Sequence, residues 1–152
     1  MAHTNVGLAN SAIEAISTSV EHGPALLLSG RTPTTERGRF DARTAPVRWG
    51  QKMCDQTALV PKTSEWDYEL RFPEQMTEVA NRARAITDSR PLGPVHVSLP
   101  QEVVCTAATA EGLDRLSLTQ PSTGHTSTSQ IRQAAQILAR ADAIFVPEEL
   151  AP

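Results

Sequence analysis

The stretch Pro73–Pro100, PEQMTEVANRARAITDSRPLGPVHVSLP, decides the fold class. Its first half reads as a helix over Pro73–Ser89, with Pro73 suited to the first helical position and Glu74 to the first turn. Met76, Val79, Ala80, Ala83 and Ile86 keep helical spacing, while Arg82 and Arg84 face outward. Arg90 to Pro94 breaks the helix, and Val95–Leu99 is a short segment closed by Pro100. Such a segment reads as a strand. Working back, Pro24–Gly30 (PALLLSG) is a run that is continuous, apolar, and bounded by Gly and Pro. It predicts a strand buried on both faces, as in a parallel sheet. Strand, helix and strand, with a crossover long enough for parallel pairing, define an α/β fold.

Upstream of that strand, Leu8–Val20 predicts a helix with Leu8, Ala12, Ile13, Ile16 and Val20 on one inward stripe. Thr4 or Asn5 is its expected cap, and His22, Gly23 and Pro24 end it. Gly7 offers either turn chemistry or a close backbone approach to a ligand at the helix start. Between the strands, Arg31–Pro46 is a polar loop with four arginines, expected to be solvated and mobile. Pro46–Pro73 holds both tryptophans and the only tyrosine beside Gln51, Asp55, Gln56, Glu65, Asp67 and Glu69. It reads as a long packed connection with one polar edge. Downstream, Thr106–Ser129 has linker composition and is also expected to be mobile. Ile131–Ala141 is helical again, and Ala143–Val146 looks like the opening of a further strand. The expected organisation is a first domain over 1–105, a linker over 106–129, and the beginning of a second α/β domain over 130–152.

Composition narrows the function classes. The formal net charge of the 152 residues is −3, with no long run of one sign, which argues against a nucleic-acid or lipid-headgroup surface. No apolar run is long enough to cross a bilayer, and the first residues lack the basic and apolar regions of a signal peptide. Cys54 and Cys105 are far apart and lack CxxC spacing, so reduced thiols in a cytoplasmic protein are expected. The four histidines form no metal-ligand pattern, and neither a GxGxxG nor a P-loop is present.

Five segments carry a resemblance: NVGLANSAIEAI (Asn5–Ile16), PALLLSGRTP (Pro24–Pro33), WGQKMCDQTALV (Trp49–Val60), EWDYELRFPEQM (Glu65–Met76) and GPVHVSLPQEVV (Gly93–Val104). In this order they resemble the N-terminal, pyrimidine-binding domain of thiamine diphosphate-dependent enzymes, in the acetolactate synthase-like and benzoylformate decarboxylase-like branch. The resemblance implies a partial parallel sheet with helices on both faces. It also implies a cofactor site between two subunits of a homo-oligomer, with no nucleic acid or membrane involved. Gly7 and Asn10 match a GxxN turn beside the pyrimidine end of the cofactor, and Gln51 matches a glutamine near the active site. Trp49 and Trp66 are expected to pack, and Asp55 and Asp67 to fix loops. Mg²⁺ and the diphosphate belong to a domain whose Gly-Asp-Gly motif does not occur here, and FAD stays open as a further cofactor of relatives. The family's catalytic glutamate sits upstream of the GxxN segment, and neither Glu14 nor Glu21 is placed to replace it. The expectation is therefore a piece of a lyase or synthase acting on 2-keto acids, marginally stable and inactive alone. The alternative is a non-catalytic product or an interaction module docking on a full-length relative.

Overall fold

Pro94–Pro100 is buried along its whole length and forms the central strand of a three-stranded parallel sheet. The computed structural model describes residues 1–43, 45–60, 62–107 and 124–141. These fall into two units, Met1–Pro121 and Ser122–Pro152.

In the first unit the elements run α1 (Thr4–Val20), β1 (Ala25–Arg31), α2 (Pro46–Gly50), β2 (Trp66–Glu69), α3 (Met76–Thr87), β3 (Pro94–Pro100) and α4 (Gln101–Val104). The sheet order is β1-β3-β2, with Leu27 and Asp67 both opposite His96. The predicted parallel pairing of these two strands is present. The helix of the opening stretch, however, connects β2 to β3 rather than β1 to β3. The expected burial of β1 on both faces is corrected: β1 is an edge strand whose residues are mostly half-buried. Its outer edge is met by Ala2, which donates to the Leu28 carbonyl at 2.7 Å and accepts from the Gly30 N–H at 2.9 Å. β2 is a strand that its residue types conceal. Trp-Asp-Tyr-Glu alternates aromatic and acidic side chains over only four residues, too short a run to stand out, and it is extended through pairing with β3.

Helices cover both faces. On one, Val79 and Ala83 of α3 pack with Leu70, Val95, Val97, Leu99 and Val103, flanked by Trp66 and Tyr68 with their rings stacked at 5.4 Å. On the other, Leu8 and Ala15 of α1 pack with Val60, flanked by Ala12 and Leu27. The predicted α1 stripe is thereby corrected. Leu8 and Ala12 point inward, but Ile13, Ile16 and Val20 are exposed. The small Ala12 and Ala15 side chains let the helix lie close on the sheet, and the branched side chains then occupy the outer face. Neither Thr4 nor Asn5 caps α1: its N-cap is His3, which makes no side-chain cap bond.

The loop after β1 meets its expectation only in part: residues 36–40 are exposed, but its two ends are not. Thr32, Pro33, Ala42 and Arg43 are buried, and Arg43 Nε donates to the Pro33 carbonyl at 3.0 Å. Its guanidinium lies 4.7 Å from the Trp49 ring centroid. One side of the guanidinium meets a carbonyl and the other an aromatic face, which suits this planar cation. Asp55 fixes a loop as expected, accepting from Thr57 Oγ1 at 2.7 Å and the Ala58 N–H at 3.1 Å.

Between α1 and the sheet lies a buried polar layer. Ser29 Oγ and His96 Nε2 are 2.8 Å apart, and Gln56 Nε2 donates to Ser29 Oγ at 3.1 Å and to the Gly30 carbonyl at 2.9 Å. Burial lowers the His96 pKa from its ordinary 6.5, with the Asp67 carboxylate opposing. The unfolded chain then binds a proton at His96 that the folded chain resists. Stability is complete above about pH 6.5 and falls as the pH drops toward the lowered folded value. Thermal melts should decline across that window, and a His96→Gln variant should decline less. Equal slopes for the two proteins would remove His96 as the cause.

The second unit contains α5, Thr128–Leu138. Ser127 and Gln130 form a reciprocal capping box at its start, satisfying two otherwise free donors. The expected strand at Ala143–Val146 lies outside the described residues. Among the described residues no helix is long and apolar enough to cross a membrane.

Candidate functional site

In open α/β sheets ligands bind beyond the carboxyl ends of the strands. Here Gly30, Arg31 and Thr32 leave β1, while Leu99 and Gln101 lie at the end of β3, and a cleft of about 640 Å³ opens between them. The N-terminal residues Met1–Thr4 form one wall and α2 contributes Val47 and Arg48 to another. Val104 and Cys105 follow from α4, and Gln51 closes the α2 side. The lining is largely apolar with a few polar groups, the composition of a small-molecule site.

The polar groups are ordered around Asp41, at the end of the buried loop. Arg48 Nη2 donates to Asp41 Oδ1 at 2.5 Å, and its Nη1 donates to the carbonyls of Asp41 and Ala42 at 3.0 and 2.7 Å. Gln101 Nε2 donates to Asp41 Oδ2, and Cys105 Sγ lies 3.5 Å from the same oxygen. The hydrogen bond from Arg48 holds the Asp41 carboxyl below its usual range. Burial, followed by the Asp41 carboxylate, pushes the Cys105 thiol up. Asp41 is thus an ionised anchor and Cys105 a protonated thiol at neutral pH. Arg31 is likewise committed. It pairs with Glu69 and donates to the Met53 carbonyl at 3.2 Å. Gln51 differs: its side-chain amide has no hydrogen-bond partner among the described residues, and it lines the cleft.

Arg31 also borders a second, polar cleft of about 650 Å³, whose lining includes Asp55, Asp67, Glu69 and Arg71. Among the described residues no group of three or more His, Cys, Asp or Glu is arranged to hold a metal ion.

Of the three residues singled out from the sequence, the structure puts Gln51 in the cleft and Gly7 and Asn10 elsewhere. Gly7 is already inside α1, with its N–H bonded to the His3 carbonyl at 3.0 Å. A Cβ at Gly7 would come within 3.2 Å of the Ala2 carbonyl carbon, so the close approach is to the chain's own backbone. Asn10 is exposed on α1. Sequence reasoning missed Asp41, Arg48, Gln101 and Cys105 as one cluster. The single cue was Gln101 directly after the strand-closing Pro100, where an α/β fold turns toward its ligand face.

The class this geometry defines is a parallel α/β domain with its cleft at the strand carboxyl ends. No protein-family model and no curated protein sequence matches the chain. Among solved structures it is similar to the thiamine diphosphate-dependent 4-hydroxybenzoylformate decarboxylase of Rhodococcus jostii RHA1, with 21% identity and a TM-score of 0.72. It is also similar to a protein of Mycobacterium smegmatis assigned to the thiamin diphosphate-dependent enzymes, with 19% identity and a TM-score of 0.61. Each likeness covers 93% of this chain and 25% of the other. The chain therefore spans about a quarter of the length of these structures, and what it shares with them is the fold.

Proposed function

We propose that this chain is part of a thiamine diphosphate-dependent lyase or synthase acting on 2-keto acids, and supplies the pyrimidine side of the cofactor site. The observation that carries the proposal is the fold likeness, which extends over 93% of the chain to a decarboxylase of that cofactor class. The cleft suits one part of the cofactor. Val47, Leu99 and Val104 give apolar surface for a heteroaromatic ring, and the unpartnered amide of Gln51 can donate to or accept from its edge. A neutral amide orients the ring without adding charge.

The cleft does not suit the diphosphate. Arg31 is committed to Glu69 and Arg48 to Asp41, and the described residues offer no oxygen cluster for Mg²⁺. The reading therefore assigns Mg²⁺ and the diphosphate to protein outside the described residues, and FAD to relatives only. The cofactor, when bound, supplies the carbanion chemistry. This chain's residues exclude water from one side of the ring and fix its orientation. Gly7 enters only through the seating of α1, and Asn10, exposed on that helix, lies away from the cleft. With Asp41 fixed by its donors, no turnover is expected from the chain alone. The proposed branch is the acetolactate synthase-like and benzoylformate decarboxylase-like one, and the free thiols Cys54 and Cys105 suit a cytoplasmic setting.

Thiamine itself tests this reading, because it carries the pyrimidine ring without the diphosphate. Titrated into the isotope-labelled chain at millimolar concentration, it should shift the amide signals of Gln51, Arg31 and Val104, and Gln51→Ala should abolish those shifts. Shifts confined to other surfaces, or unchanged in the variant, would remove the cleft as the pyrimidine site.

A further inference from the structure

The second, polar cleft carries charges that the fold does not use. The Leu70 N–H donates to the Ser98 carbonyl at 2.9 Å, so the extended chain of β2 runs on past Glu69. Alternate residues of such a chain face the same side. Leu70 is buried in the cluster with α3, which leaves Asp67, Glu69 and Arg71 in a row on the other side, and all three line the cleft.

The members of this row differ in what holds them. Glu69, in the middle, pairs with Arg31. Across the cleft, Asp55 is held by the Thr57 hydroxyl and the Ala58 N–H. Asp67 is half-buried, yet among the described residues it makes no hydrogen bond or ion pair, so it fixes no loop. Its neighbour across the sheet, His96, does not compensate it, because burial keeps that ring neutral. Arg71, at the far end of the row, is exposed and equally unpaired.

We propose that this cleft binds a small zwitterion of the amino-acid class, with its ammonium group against Asp67 and its carboxylate against Arg71. A lone cation would meet Asp67 but lie in the field of Arg31 and Arg71. A lone anion would meet Arg71 but face Asp55, Asp67 and Glu69. Only a ligand with both signs satisfies both ends. The two free charges stand four residues apart, ~13 Å along an extended chain, and the long arginine side chain narrows that gap. What remains matches a short molecule with its amine and acid at opposite ends. Between them lie Cys54, Thr57 and the Arg31–Glu69 pair, a polar wall that gives a large apolar side chain nothing to bury against. Gln51 is not part of this cleft, and the site does not depend on the cofactor reading.

γ-Aminobutyrate, butylamine and butyrate separate the two charges. Each is titrated at low salt, where screening is least, into the isotope-labelled 152-residue chain. γ-Aminobutyrate should shift the amide signals of Cys54, Thr57, Asp67 and Arg71 and leave that of Gln51 in place. It should bind about tenfold or more tighter than either single-charge probe, the difference made by one charge-assisted hydrogen bond. Asp67→Asn and Arg71→Gln should each weaken it by about the same factor. Both variants should melt at the wild-type temperature, since neither side chain bonds to the fold. Should Asp67→Asn lose its fold, Arg71→Gln, at an exposed position, decides alone. Absence of shifts in the cleft, butylamine or butyrate binding as tightly as γ-aminobutyrate, or wild-type affinity in the folded variants would each overturn the proposal.

Discussion

Replacing Leu8 by alanine should destabilise the first unit by about 2–5 kcal/mol, the range for emptying a fully buried aliphatic site. Leu8 is 0% exposed and is the largest side chain that α1 contributes to its cluster with Ala15 and Val60. The loss is a large fraction of the stability of a small domain, roughly 5–15 kcal/mol. Few other contacts hold α1 down, since Ala12 and Ala15 are small and the branched residues face outward. Denaturant unfolding should show a lowered midpoint, and hydrogen exchange should show α1 opening ahead of β3. Ile13→Ala is the contrasting change: Ile13 is exposed, and its loss should leave stability nearly unchanged. If both substitutions cost the same, the side of α1 that carries the packing is misassigned.

Glu102→Ala should have the second large effect, and it should act on the cleft. Glu102 is 2% exposed, and its Oε1 accepts from the Thr34 N–H at 2.6 Å, the Thr35 N–H at 3.0 Å and the Thr34 hydroxyl. It thus ties the loop after β1 to α4, the element that follows β3. A hydrogen bond to a charged group contributes about 1.5–3 kcal/mol, and removing the carboxylate leaves several donors without an acceptor. Burial raises the Glu102 pKa, but the bonds from Thr34 and Thr35 outweigh it and the net shift is downward from 4.5. The sign follows: the contribution is present above about pH 4.5 and is lost as the pH falls through the lowered folded value. Glu102→Gln should keep part of the geometry and lose the acid dependence below that point. A Glu102→Ala protein with wild-type stability and an unaltered cleft would contradict the clamp.

The two strands and the helix of the opening stretch were legible because Pro24–Gly30 is a continuous apolar run, Val95–Leu99 is a short β-branched stretch closed by Pro100, and Pro73–Ser89 has a clean 3.6-residue period. β2 was not, because Trp66–Glu69 owes its extended form to pairing with β3. For α1 the period was right and the face was wrong. A helix with Leu8, Ala12 and Ala15 on one side and Ile13, Ile16 and Val20 on another has two candidate stripes, and only tertiary packing selects one. The cleft was hardest to see. Gln51 could be singled out, but the Asp41 cluster joins residues 41, 48, 101 and 105, far apart in the chain. Arg43 of the loop looked solvated because its partners are a backbone carbonyl and an aromatic ring, which leave no charge pattern to read.

The two faces of the sheet differ in a way that bears on how β3 finds its place. Toward α3 it presents Val95, Val97 and Leu99; toward α1 it presents His96 and Ser98. A slip of one residue would exchange the two sets. His96 would then enter the apolar side, while a valine would face Gln56 and leave its amide and the Ser29 hydroxyl unmatched. Either result strands buried polar groups at about 1–3 kcal/mol each. An all-apolar strand such as Val-Val-Val would tolerate that slip almost without penalty. The Ser29–His96 contact therefore acts as a key as well as a bond: it admits one alignment of β3 and rejects its neighbours.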